Sequence, residues 1–73
     1  MNEFYEGMAE IFEVNLDQIK PELNLETVEW NSLAIVSTIA LADECFNVIL
    51  NGRLLDECKT FADIENLIAS KKA

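Results

Sequence analysis

The chain has 73 residues, with fourteen acidic side chains against five basic ones, no histidine, and a formal net charge of −9. That length supports one domain, read here as residues 1–73, because two halves would each be too small to bury a core. The charge excludes nucleic acid, whose phosphates need clustered Lys and Arg, and anionic membrane surfaces. No stretch is long enough to insert in a bilayer.

The first residues, MNEFYEGMAE, carry acids where a secretory leader would carry bases, so the expected compartment is the cytoplasm. Phe4, Met8, Ile11 and Phe12 recur at helical spacing, with Glu3, Glu6, Glu10 and Glu13 largely opposite them, which predicts a helix over Asn2–Val14. Gly7 sits inside that pattern at a cost of about 1 kcal/mol relative to Ala. The pattern breaks over Asn15–Trp30, where Pro21 removes a backbone donor and biases Lys20 towards an extended conformation. Leu16, Ile19, Leu23, Leu25 and Val28 are too apolar for a free linker, and predict a long ordered loop pinned across the helix ends.

Asn31 is a good N-cap for a helix running to about Phe46. From Leu33 to Ala42 this helix carries no charge, and its apolar residues cover nearly the whole circumference. A helix apolar all round is normally buried on all sides. So small a bundle cannot surround one of its own helices, so part of that surface is expected to face a partner or ligand. Asn51-Gly52 is a hairpin signal, but a lone hairpin is marginal, and a turn with a short helix over Leu54–Cys58 is the preferred reading. Thr60 with Asp63 three residues on resembles a capping box. Phe61, Ile64, Leu67 and Ile68 give the last helix its inward face, and Lys71 and Lys72 suit its C-terminal end. The fold class predicted is an all-α bundle of three main helices, one short helix and one long ordered loop.

Chemistry of its own is scarce. No histidine is present to activate a serine, and Cys45 and Cys58 alone make no zinc site. Both cysteines read as small apolar residues in a reducing compartment, although a disulfide between them stays open. Glu26 and Glu29 read as solvated acids rather than a catalytic pair. An enzyme is not expected. Ser32 differs by position: at the first turn of a helix its hydroxyl lies beside unpaired backbone N–H groups and the positive end of the dipole, a favourable place for phosphate. Ser37, Thr38 and Ser70 have no such position and read as structural or solvated.

The run ETVEWNSLAIVSTIALADECFNVIL, followed by CKTFADIENLI, resembles the acyl carrier protein family over essentially the whole chain. In that family a serine opens the second helix, usually within Asp-Ser-Leu, and carries 4′-phosphopantetheine derived from coenzyme A; the matching residues here are Asn31, Ser32 and Leu33. The resemblance implies covalent 4′-phosphopantetheine on Ser32, no metal ligands in the chain, and a monomeric carrier of acyl thioesters. Its implied partners are a phosphopantetheinyl transferase and acyl-transferring or acyl-modifying enzymes with basic or apolar docking patches. Asn31 replaces the family's aspartate, which is associated with metal-assisted transfer of the arm, and Glu29 stands near the usual glycine. Ala34 and Ser37 occupy places where the family tends to carry acids. The expected partner-binding residues are therefore Asn31, Leu33, Val36 and Ala40, with Asp43, Glu44 and Asp56 supplying charge. Small residues at Thr38 and Ala42 leave two readings open, room for cargo between helices or a closed core. Fatty-acid or specialised polyketide and lipid synthesis is the leading pathway. An aminoacyl or cell-envelope cargo, or an unmodified interaction module, is the alternative.

Overall fold

A computed structural model describes residues 2–72, and among them the sequence periodicity resolves into four α-helices and no named strand. Helix α1 (Asn2–Phe12) buries Phe4, Met8 and Phe12 and leaves Glu3, Glu6 and Glu10 in solvent. It stops short of the expected Val14. Glu13 turns left-handed at φ 59°, its N–H bonds to the Glu10 carbonyl at 3.2 Å, and the Val14 N–H bonds to Ala9 at 3.0 Å. This is a Schellman closure with Glu where glycine is usual. Gly7 has a packing reason to be glycine, because a Cβ there would fall 2.6 Å from a Leu41 methyl on the facing helix.

The long connection is ordered as expected, but it contains two 3-10 turns, at Leu16–Gln18 and Leu25–Thr27, that helix periodicity does not reveal. Ile19 and Leu25 are buried and Leu23 and Val28 half-buried, whereas Leu16, expected to be a pin, is exposed on the first of these turns. The connection also works through its backbone. The Leu25 N–H bonds to Lys59 at 2.9 Å, while the carbonyls of Leu23 and Pro21 accept from Phe61 and Ala62 at 3.0 Å each. Those two donors belong to the first turn of the last helix, which has no acceptors of its own for them. A loop that caps another helix cannot drift.

Helix α2 (Ser32–Phe46) ends at Asn47, left-handed at φ 58°, whose N–H bonds to Asp43 at 2.9 Å. The segment after it corrects the expected boundary. Helix α3 spans Gly52–Asp56, not Leu54–Cys58, because Asn51 is its N-cap and accepts from the N–H groups of Arg53 at 2.8 Å and Leu54 at 3.3 Å. A type I′ hairpin would need Gly52 at positive φ, and it is not there. Helix α4 (Phe61–Lys72) starts as the capping-box signal suggests: the Asp63 carboxylate accepts from Thr60 N–H at 3.2 Å and also from Lys59 N–H at 2.9 Å. These two backbone donors hold its carboxyl below the usual aspartate range.

Helix α1 packs mainly on α2, and α4 packs on α2 and α3. Phe4 lies between Phe46 and Phe61, with ring centroids 5.2 and 6.1 Å away, and Tyr5 meets Phe61 edge-on at 5.5 Å. The Tyr5 hydroxyl donates to Glu65 at 2.6 Å, tying the first helix to the last, and that bond raises its pKa. The result is the all-α, acyl-carrier-like bundle. Thr38 and Ala42 are fully buried in it. The Thr38 hydroxyl donates to the Ala34 carbonyl within the same helix at 2.8 Å and lies 3.7 Å from the Met8 sulfur of α1. No helix among the described residues is long and apolar enough to cross a membrane.

Candidate functional site

The site is built at the start of α2. Two fixtures set its entry angle. Trp30 donates its indole N–H to the Leu55 carbonyl at 3.1 Å and meets Phe12 edge-on at 5.8 Å, so the residue two before Ser32 is anchored to both α1 and α3. Asn31 then takes extended dihedrals and its side-chain oxygen accepts the Ala34 N–H at 3.0 Å, while its carbonyl accepts from Ile35 at 2.9 Å. Ser32 follows as the first helical residue, with an exposed side chain.

Four N–H groups at a helix start lack intrahelical partners. Asn31 supplies one of them, through Ala34, and among the described residues the N–H groups of Ser32 and Leu33 have no protein acceptor. The first turn of α2 carries no acid that would cancel its dipole. An anion joined to the Ser32 hydroxyl thus meets two open donors and the positive helix end, the arrangement that favours phosphate. The residues present fit a phosphodiester.

The neutral residues expected to bind partners divide as follows. Leu33 is 76% and Val36 62% exposed, and Ala40 is exposed on the same helix. The uncharged stretch of α2 is therefore not fully buried: Ala34, Ile35, Thr38 and Ala42 take the core side. Asp43 and Glu44 are exposed but lie about three turns from Ser32, about 16 Å along the axis. Asp56, exposed at the end of α3, lines a hollow of about 610 Å³ with Trp30, Val28 and Cys58. Glu26 and Glu29 are both exposed, and no group of residues suited to holding a metal ion occurs among the described residues.

Two exposed apolar residues escaped the sequence reading, Ile49 at 67% and Leu54 at 44%. For Ile49 a signal existed. Val48 and Leu50 are buried on either side of it, the period-two alternation of an extended segment that a helix-period search passes over. Cys45 and Cys58 are free, half-buried thiols. Burial, with Asp63 and Glu57 nearby, pushes the Cys58 thiol up to about 11, and burial raises Cys45 as well. Neither is poised as a nucleophile.

Compared with known families, residues 3–68 match the family model described as "phosphopantetheine attachment site". No curated protein and no solved structure gives a significant match.

Proposed function

The chain belongs to the phosphopantetheine attachment site family, a family of non-catalytic carriers that bear a covalent 4′-phosphopantetheine, and from that premise we propose that Ser32 is the attachment residue of an acyl carrier protein. The supporting observation is the exposed Ser32 hydroxyl at the first position of α2, beside the open N–H groups of Ser32 and Leu33. Ser32 gives up its proton to the transferase, its Oγ bonds to the phosphorus that carries the pantetheine, the phosphoanhydride of coenzyme A breaks, and adenosine 3′,5′-bisphosphate leaves. The arm supplies a terminal thiol for thioester chemistry. The chain supplies the rest: Asn31 fixes the first turn, the open donors hold the phosphate, and Trp30 sets the direction in which the serine faces.

Partner enzymes read the exposed residues Leu33, Val36 and Ala40 beside the serine, with Asp43, Glu44 and Asp56 attracting basic patches. The cargo is an acyl group of fatty-acid or specialised lipid or polyketide synthesis, handled in the cytoplasm by a monomeric carrier. A second reading has support in the first turn. Asn31 presents a neutral amide whose one side-chain oxygen already accepts from Ala34, and it brings no carboxylate charge for a metal ion during loading. That favours a dedicated transferase and a specialised pathway, including an aminoacyl or cell-envelope cargo.

Intact mass before and after incubation with coenzyme A, magnesium and a broad-specificity transferase is the test. A gain of one phosphopantetheine in the wild type and none in Ser32→Ala supports the assignment. No gain there, and none in protein taken from its native cell, would leave an unmodified interaction module and sink the carrier assignment.

A further inference from the structure

The seam between α1 and α2 carries a groove that the attachment of the arm does not use. Three hollows of about 410, 440 and 420 Å³ run along it and share lining residues, Ile11 and Ser37 between the first two and Gly7, Glu10, Leu41 and Glu44 between the last two. They form one trough. Its first hollow is lined by Asn31 and Leu33, the neighbours of Ser32, together with the end of α1; its last reaches Glu3 and Cys45. The two helices are therefore antiparallel along it, and from Leu33 to Cys45 it is about 18 Å long, three turns of helix.

Its floor is apolar at the middle, and its two ends are more polar. Gly7 presents no side chain, which leaves Leu41 as the wall opposite it, with Ile11 and Ala40 continuing the floor. Its rim is one-signed: Glu3, Glu6, Glu10, Glu13, Glu29 and Glu44 line it, and among the described residues no Lys or Arg does. All five bases, Lys20, Arg53, Lys59, Lys71 and Lys72, lie elsewhere. A trough between two antiparallel helices, apolar at its middle, accepts a third helix by ridge-into-groove packing. A carboxylate rim on both sides selects cationic flanks for it.

We infer that this trough docks a partner enzyme through an amphipathic helix of about three turns, with an apolar stripe flanked by Lys and Arg. The inference rests on the carrier assignment, since the trough opens beside Ser32 and a helix seated in it brings the enzyme to the arm. It also places that contact on the α1 side of α2, away from Ile49 and Leu54.

The probe is a synthetic amphipathic helix of Leu, Ala and Lys, titrated into isotopically labelled holo-protein and followed by amide shifts and by the dissociation constant. Shifts centred on Gly7, Ile11, Ala40 and Leu41 are expected. Glu3→Gln with Glu6→Gln and Glu10→Gln is expected to weaken binding about tenfold. Asp17→Asn with Glu22→Gln and Glu57→Gln removes the same number of charges away from the trough and is expected to change it less than about threefold. Equal weakening by the two sets, or shifts centred on Ile49 and Leu54 and absent from Gly7 and Ile11, would overturn the assignment. Circular dichroism checks that both variant sets fold. Loading of Ser32 in the wild type, read by intact mass, tests the carrier assignment separately.

Discussion

Replacing Asn31 by Ala tests whether the proposed attachment site is held by its cap. The variant removes the one side-chain oxygen that accepts the Ala34 N–H, a 3.0 Å bond to a residue that is itself buried. Losing an N-cap of this kind costs about 1 kcal/mol. For a chain of this size that lowers Tm by about 4–8 °C. Asn31→Asp keeps the acceptor and adds a charge at the positive helix end, worth about 0.3–1 kcal/mol, against the self-repulsion of a chain already at −9. Its Tm is expected to equal or exceed that of the wild type. Its second carboxylate oxygen is expected to speed magnesium-dependent loading of Ser32. Thermal unfolding followed by circular dichroism gives the two shifts, and timed intact mass gives the loading rate. An Asn31→Ala protein that melts with the wild type, or an Asn31→Asp protein that melts as low as Asn31→Ala, would refute the cap as the reason the first turn is ordered.

Leu33→Ala combined with Val36→Ala is expected to leave Tm nearly unchanged, because both side chains are mostly in solvent, while pull-down or titration with a processing enzyme loses affinity; unchanged binding would remove these residues from the docking surface. Cys58, with its thiol pushed up to about 11 from 9.0, is expected to react with iodoacetamide at pH 8 about a hundredfold more slowly than an unperturbed thiol, in proportion to its thiolate fraction. The sign for stability follows. The folded state holds this proton more tightly, so the contribution is complete below pH 9 and is lost as pH rises towards 11, which a series of melts in that range reads. Glu13→Gly places a residue without a Cβ at φ 59°, where an L side chain is strained by about 1–2 kcal/mol. A rise in the urea midpoint is expected, reduced by glycine's greater freedom in the unfolded chain, and a fall would mean that the Glu13 side chain has a role in the folded state that outweighs its strain.

Local chemistry written in consecutive residues was legible without coordinates. The 3.6-residue recurrence of Phe4, Met8 and Phe12, the cap at Asn31, the end of α2 at Phe46 and the Thr60–Asp63 pair all depend on neighbours within one or two turns. So does the place of Ser32 at a helix start, which is why it could be singled out. Whatever is set by residues far apart in the chain had to wait for the fold. The same Asn-Gly pair serves a hairpin or a helix start, and the packing of α3 on α2, where Gly52 lies near Ile35 and Ile39, belongs with the second. Leu16 and Ile19 have similar hydropathy, yet one is exposed and the other buried, because a 3-10 turn directs them differently. Gly7 is a weak point by helix propensity alone, and only the fold brings Leu41 of the facing helix against it. The sequence by itself determined which segments are helical and where a phosphate would be welcome, since those rest on backbone donors and short-range periodicity. The tertiary structure alone decided which side of the uncharged helix is covered and which is left to partners, because burial depends on what the rest of the chain brings alongside.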